Sequence, residues 1–332
     1  MTISYLKWAG GKSIVSSILL GLFTKTGRLN YEHWKVTEGQ TYHEWFGGSM
    51  SMYFHLKEAG FISDTAGVVL NDFSASLINS ARVVQSVEPS KIYNELESLR
   101  IDYIKSLGGK EIPRNQTKEI REERFYYKRR SEFNQLSNKL GEGKSITSGE
   151  KLRLCALMIF LNRTGFNGMF RVNKKGEMNV PEGDYPNLKS IRSQEHMAKC
   201  SELLKCVELI CKDWRRLVSM PKEGDLVYID PPYADLKKNK KTFTTYSTGE
   251  FQEDDQIELA DSVCKLVKEK KCKAIASNHN TTWVKEVYKN AALKHDVEII
   301  FRHILVRRAV GRSKESRKKV KEFLIFIYPK TK

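Results

Sequence analysis

TYHEWFGGSMSMYFHLKEAGFISDTAGVVLND, residues 41–72, reads as strand, glycine turn, helix and strand. Thr41 to Phe46 is aromatic-rich, Gly47-Gly48 punctuates it, and Ser49 to Ala59 has helical spacing. Gly67-Val68-Val69-Leu70 is a short apolar strand ending at Asn71-Asp72. A β-α-β unit of this kind opens a doubly wound nucleotide-binding sheet. The same texture returns after about residue 200, with strand-like Val207–Cys211, Leu226–Ile229, Ala274–Ala276, Val297–Leu305 and Phe323–Tyr328. Helical stretches at 253–270 and 281–291 lie between some of them.

Between these two α/β stretches the chain changes character. From about Ser80 to Glu150 it is polar, charged and helix-biased, with glycine-lysine interruptions at 108–110 and 141–144. Residues 164–187 are rich in Gly, Asn and Pro, and Met169, Phe170, Arg171 and Val172 alternate as in an irregular hairpin. The expectation is therefore an α/β protein in which residues 1–79 and 191–332 form one discontinuous domain. A mainly helical insert, residues 80–190, interrupts it. The first does the chemistry and the second meets the partner.

Composition narrows the partner. In 332 residues, 57 Lys+Arg against 40 Asp+Glu give a net charge of +17, an excess that attracts polyanions, nucleic acid above all. A basic surface kept for solubility alone is the alternative. With 40% hydrophobic and 29% charged residues, disorder is a poor reading. No apolar run approaches the ~20 residues of a membrane span; Leu154 to Leu161 is among the longest, and Met1 to Ser13 has no signal-peptide core. A cytoplasmic protein without a membrane partner is expected. The six cysteines form no C-x-x-C pair and no His/Cys cluster at zinc spacing, so metal chemistry is not indicated and buried free thiols are the default.

The most specific local element is Leu226-Val227-Tyr228-Ile229-Asp230-Pro231-Pro232-Tyr233. An apolar strand delivers an acid to its carboxyl end, the edge where open α/β sheets bind ligands. The prolines fix the backbone and lack N–H groups, so carbonyl oxygens point outward without competing donors. Aspartate and a prolyl carbonyl are two acceptors in fixed geometry with an aromatic face beside them, a set that suits the exocyclic amine of a nucleobase. A strand-ending turn is the bland alternative. The amino-terminal Lys7-Trp8-Ala9-Gly10-Gly11-Lys12-Ser13 invites a phosphate-loop reading, but that motif needs glycine where Leu6 stands.

Together these elements resemble Dam-type DNA adenine methyltransferases. The resemblance rests on Lys7 to Lys12, Phe46-Gly47-Gly48-Ser49, Asn162 to Asn173, Gly176, Asn179-Val180-Pro181, Asp230 to Tyr233 and Ser277-Asn278-His279, in that order over nearly the whole chain. It implies a Rossmann-like S-adenosylmethionine methyltransferase sheet with an inserted DNA-recognition domain carrying a β-hairpin, a bacterial or phage-type cytoplasmic enzyme. The implied activity is transfer of a methyl group from S-adenosylmethionine, leaving S-adenosylhomocysteine, to adenine N6 in double-stranded DNA. GATC or a related short site is the implied target, and a cognate restriction endonuclease would be a genetic, not a physical, partner.

By resemblance Trp8, Lys12, Gly48, Asp72 and Asp230 contact the cofactor. Asp230, Pro231, Pro232 and Tyr233 form the catalytic loop, and Lys7, Asn167, Met169, Arg171 and Pro181 face DNA. Asp72 has a helix N-cap as its alternative. Arg121, Arg124, Lys128, Arg129 and Arg130 read individually as a solvated helix face. The run from Arg307 to Lys321 reads equally as a phosphate clamp or a solvated loop. Two departures from the family pattern are Trp45, where Pro is usual, and Met50, where Gly is usual; they put the backbone approach to the cofactor in question at residue 50. Methylation of the exocyclic amine of cytosine, or DNA binding without turnover, are the rival functions.

Overall fold

The computed structural model describes residues 4–7, 13–108, 118–233, 251–307 and 319–330. The strands are β1 (Thr41–Glu44), β2 (Gly67–Asn71), β3 (Glu208–Ile210), β4 (Leu226–Ile229), β5 (Lys273–His279), β6 (Val297–Arg307) and β7 (Lys319–Pro329). Before β3 come α1 (Ser13–Leu22), α2 (Tyr31–Trp34), α3 (Ser51–Glu58), α4 (Ala75–Ser86), α5 (Pro89–Leu107), α6 (Lys118–Glu122), α7 (Phe125–Gly141), α8 (Ser148–Thr164) and α9 (Gln194–Leu204). After β4 come α10 (Glu253–Lys270) and α11 (Thr282–His295).

The seven strands among the described residues form one sheet in the order β3-β2-β1-β4-β5-β7-β6. β1 pairs in parallel with β2 and β4, β2 with β3, and β4 with β5, while β7 runs antiparallel to both β5 and β6. The α/β expectation therefore holds, and each strand-like stretch read in the sequence corresponds to a strand. The chain leaves β1 toward β2 on one side and returns at β4 on the other. The topological switch point, where such sheets open a crevice at their carboxyl edge, thus lies between β1 and β4.

Strand alternation divides the core into two. Tyr42, Val68, Leu70, Tyr228, Ile275, Leu324 and Phe326 face one cluster, and Val69, Val227, Ile229, Ala274, Ala276, Phe323 and Ile325 face the other. The second face is covered by α10 and α11 through Leu259, Val263, Val267, Val284 and Tyr288. The first continues without a break into the helices of the 80–190 segment, through Val84, Leu96, Phe133 and Phe160.

The centre of that segment is α8, in which every residue from Leu154 to Asn162 is buried. A helix apolar on all sides has to be surrounded, and α4, α5 and α7 pack around it. The longest apolar run of the sequence is thus a core helix. No helix among the described residues is long and apolar enough to cross a membrane. A capping box, Thr147 with Glu150, starts α8. Beyond its end the chain forms the irregular hairpin, two arms joined by isolated antiparallel bridges at Gly165 with Glu182 and Val172 with Met178.

Candidate active site

Register brings three acids to the switch point. Glu44, the last residue of β1, lies opposite Leu70 of β2 and Tyr228 of β4. The next turns of the neighbouring strands therefore supply Asp72 and Asp230 on either side of it. The Trp45 N–H donates to the Tyr228 carbonyl at 3.2 Å, carrying the pairing one step past the strand.

The glycine loop is tied to β2 rather than to its own helix. The Gly47 N–H donates to the Asn71 carbonyl at 2.7 Å, and the Asn71 amide donates to the Trp45 carbonyl at 2.9 Å. A Cβ on Gly47 would sit 3.0 Å from the Asn71 oxygen, so this close approach favours glycine. The Gly48 N–H donates to Asp72 Oδ2 at 2.8 Å, while Asp72 Oδ1 accepts from the Ser74 N–H at 2.8 Å. Asp72 thus braces the glycine loop and the entry to α4. The N-cap itself is Ser74, which accepts from the Leu77 N–H.

Both departures from the family pattern have a structural resolution. Trp45 turns to the other face of the sheet and stacks on Trp214, with ring centroids 6.3 Å apart. Met50 takes the left-handed conformation, φ 55°, which glycine adopts at no cost, and buries its side chain in the first core.

Glu44 was not singled out in the sequence, although an acid closing an aromatic strand before Phe46-Gly47-Gly48 is a readable signal. It is 3% exposed and accepts from the Tyr42 hydroxyl at 2.9 Å and the Tyr53 N–H at 3.1 Å. Burial pushes its carboxyl up to about 8, with the charges of Asp230 and Asp72 acting in the same direction and the two donors opposing. Burial also raises Asp72, against the Ser74 and Gly48 amides that favour its charged form.

The native Glu44 carboxyl then holds a proton that the unfolded chain has lost between pH 4.5 and about 8, and stability falls as pH rises through that window. Glu44→Gln removes this loss. At pH 8 the variant should be about 4 kcal/mol more stable than the wild type, and near pH 4.5 the two should nearly coincide. Urea unfolding at the two pH values reads this directly, and a difference independent of pH would refute it.

The loop after β4 is fixed from two sides. Pro231 is buried, and Asp230, Pro232 and Tyr233 are half-buried. On one side Gln256 of α10 donates to the Pro232 carbonyl at 2.9 Å and accepts from the Asn278 amide at 3.0 Å. On the other, the Tyr233 ring leans on His279 of β5 at a centroid distance of 4.3 Å. The Pro232 carbonyl is thereby engaged within the protein, whereas Pro231 stands next to the Asp230 carboxylate in the chain.

The amino-terminal segment connects this edge to the hairpin. The Ser4 hydroxyl donates to the Ser49 carbonyl at 2.7 Å. Asn162, near the end of α8, takes the Lys7 N–H at 2.8 Å and returns its amide to the Lys7 carbonyl at 2.7 Å and the Gly168 carbonyl at 3.2 Å. The Lys7 side chain lies so close over Gly168 that a Cβ there would meet its Cδ at 2.6 Å. Asn167 beside it is left-handed, φ 56°. The exposed Pro181 accepts the Phe166 N–H at 2.9 Å, and Arg171 Nε donates to Asn179 Oδ1 at 2.7 Å across the hairpin. Met169 is half-buried against the core. Lys7, Asn167, Arg171 and Pro181 therefore belong to one assembly, and Trp8 and Lys12 lie outside the described residues.

Arg124, at the start of α7, and Arg130 within it brace that hairpin, while Lys128 and Arg129 pair locally with Glu123 and Glu132. Arg124 pairs with the buried Glu182 at 2.7 Å, Arg130 donates to the Val180 carbonyl at 3.1 Å, and Asn134 exchanges two hydrogen bonds with Met178. Tyr126 and Tyr127 are core residues. In the basic run, Lys321 is exposed on β7, and residues 308–318 lie outside the described residues.

Comparison with known proteins identifies the family. Residues 8–300 match the family model of D12 class N6 adenine-specific DNA methyltransferases. The type II methyltransferase M.MjaIII of Methanocaldococcus jannaschii is 31% identical over 327 residues, 98% of this chain and 98% of that protein. The DNA adenine methylases of Vibrio cholerae and of Escherichia coli K12 are each 28% identical over 98% of this chain, covering 96% and 95% of their own lengths. Among solved structures, a precorrin-6y C5,15-methyltransferase from Geobacter metallireducens aligns at a TM-score of 0.36 with 8% identity, too distant to bear on the argument. With its sheet order, its acid-lined switch point and a family match over most of its length, the chain belongs to the D12 class of N6 adenine-specific DNA methyltransferases.

Proposed function

We propose that this chain transfers the methyl group of S-adenosylmethionine to the N6 amine of adenine in double-stranded DNA, at GATC or a related short site, after flipping the base from the duplex. The observation that carries the reading is the placement of Asp230 at the carboxyl edge of the sheet, beside the braced glycine loop. An amine inside a duplex cannot reach such a pocket unless the base leaves the stack.

The residues fit the cofactor by their chemistry. Glu44, Asp72 and Asp230 crowd one edge, where burial holds the Glu44 and Asp72 carboxyls above their usual range, so a cationic ligand there would favour their charged forms. Asp72 and Gly48 would hold it there, together with Trp8 and Lys12. The bound cofactor supplies an activated methyl group on a sulfonium.

The protein contributes position. Asp230 and the Pro231 carbonyl accept the two N–H bonds of the amine, which directs its lone pair, and Tyr233 offers its ring to the flipped base. The nitrogen becomes positive as the methyl arrives, so an anionic acceptor strengthens its hold in the transition state. On the DNA side, residues 80–190 form the recognition unit. In it Arg171 reads guanine, Asn167 lies at the space left by the flipped base, and Met169 and Pro181 touch bases through apolar surface, while Lys7 adds a base contact from the other domain.

Mapping modified bases after expression in a host without its own methyltransferases tests the site. N6-methyladenine confined to GATC or a related short sequence is expected; modification without sequence preference contradicts the recognition roles. If the net charge of +17 serves DNA encounter, log K for DNA should also fall linearly with log salt, by about 0.9 per phosphate contact. A flat salt response in a filter-binding titration would remove phosphate neutralisation from the account.

A further inference from the structure

The Tyr233 hydroxyl lies 3.3 Å from Asp230 Oδ1, 3.2 Å from Ser277 Oγ and 3.2 Å from Glu322 Oε2. A phenol has one proton to give, so these oxygens compete for it. All three distances exceed the usual O–H···O range of about 2.5–3.0 Å, so none of the three bonds is fully formed.

The surroundings favour one assignment. β5 and β7 pair His279 with Glu322, so Ser277, His279 and Glu322 rise from one face of the sheet, the face on which Tyr233 rests. Ser277 is fully buried and Glu322 is 5% exposed. Ser277 can donate to the phenol oxygen, and Tyr233 can donate onward to Glu322. That chain gives the phenol both a donor and an acceptor without drawing on Asp230 Oδ1.

We propose that Glu322 is a positioning residue: it takes the Tyr233 proton, so that Asp230 offers its carboxylate to the amine of the target base and not to the phenol. The inference rests on the methyl-transfer reading above. It extends the catalytic loop to β7, a strand some ninety positions later in the chain.

Glu322→Gln tests it, because the carboxamide keeps the size but can donate to the phenol oxygen and turn the Tyr233 proton toward Asp230. With both ligands saturating, single-turnover transfer should fall about 10-fold. Affinities for specific duplex and for S-adenosylhomocysteine should stay within about 3-fold of wild type. A binding readout accompanies the rate. Purine at the target position lacks the amine, and the preference for adenine over purine should shrink about 3–10-fold in the variant, the worth of one hydrogen bond.

The same substitution in a Tyr233→Phe background decides the mechanism. No proton remains there to redirect, so Glu322→Gln should add less than about 2-fold to the effect of Tyr233→Phe. A merely structural role would cost as much in either background. Should the Gln variant melt far below wild type, Glu322→Asp, which draws the acceptor back by one carbon, runs the same cycle with a smaller expected loss.

A Glu322→Gln enzyme at full rate, or a loss that persists in the Phe background, overturns the inference while leaving the functional reading intact. A wild-type protein without adenine methylation overturns both.

Discussion

Asp230→Ala should lower single-turnover methyl transfer by about 10²–10³-fold with DNA and S-adenosylmethionine both saturating, the cost of losing one preorganised group at a charge that develops in the transition state. Specific DNA binding should stay within a few-fold, since the phosphate contacts and the contacts to the recognition bases come from other elements. Asp230 stands at the carboxyl edge of β4, and its loop is held by Gln256 on one side and His279 on the other. Truncation therefore removes an acceptor from a frame that persists. Tyr233→Ala should behave differently, weakening retention of the flipped base by about 1–3 kcal/mol through lost stacking. The comparison separates holding the base from easing the transfer. An Asp230→Ala enzyme near wild-type rate would end the catalytic assignment.

Arg171→Ala should relax specificity at one guanine by about 1–3 kcal/mol, a 5- to 150-fold loss of discrimination, while non-specific affinity changes little. The side chain is aimed by the hairpin, with Nε anchored on Asn179 at 2.7 Å and the arm carrying Asn179 held to α7 through Val180 and Met178. Asn179→Ala should accordingly reproduce a weaker version of the same relaxation, because it frees the guanidinium from its plane without removing it. Rates on the cognate site and on each single-base variant measure both. An equal loss on every sequence would make Arg171 a phosphate contact instead.

The sheet was legible because its strands are buried and nearly continuous in apolar residues. Leu226 to Ile229 and Phe323 to Tyr328 could hardly be read otherwise, and the punctuation at Gly47-Gly48 and Asn71-Asp72 marked the strand ends. The Asp230-Pro231-Pro232-Tyr233 loop was legible for the same reason, as a polar cluster at the end of an apolar run. Glu44 was not singled out: its place at the end of an aromatic strand is readable, but the sequence does not show which acids stand beside it. Its meaning comes from register, which sets Asp72 and Asp230 on adjacent strands.

Long-range pairing hid other roles too. Arg124 and Arg130 look like a solvated face until Glu182 and the Val180 carbonyl, about fifty residues away, are brought beneath them. Glu322 is the clearest case, since only antiparallel pairing with β5 carries it to the Tyr233 hydroxyl. Met50 shows the converse. Its residue type argued against a left-handed turn, but the fold imposes that conformation and gives its side chain a place in the core.

The central claim is the identity of the methylated atom. Duplex DNA treated with the purified protein and methyl-deuterated S-adenosylmethionine, then digested to nucleosides and resolved by mass spectrometry, reads it directly. The account predicts label in N6-methyldeoxyadenosine, one per cognate adenine at completion. Label in N4-methyldeoxycytidine, or no label in DNA that the protein binds specifically, would contradict it.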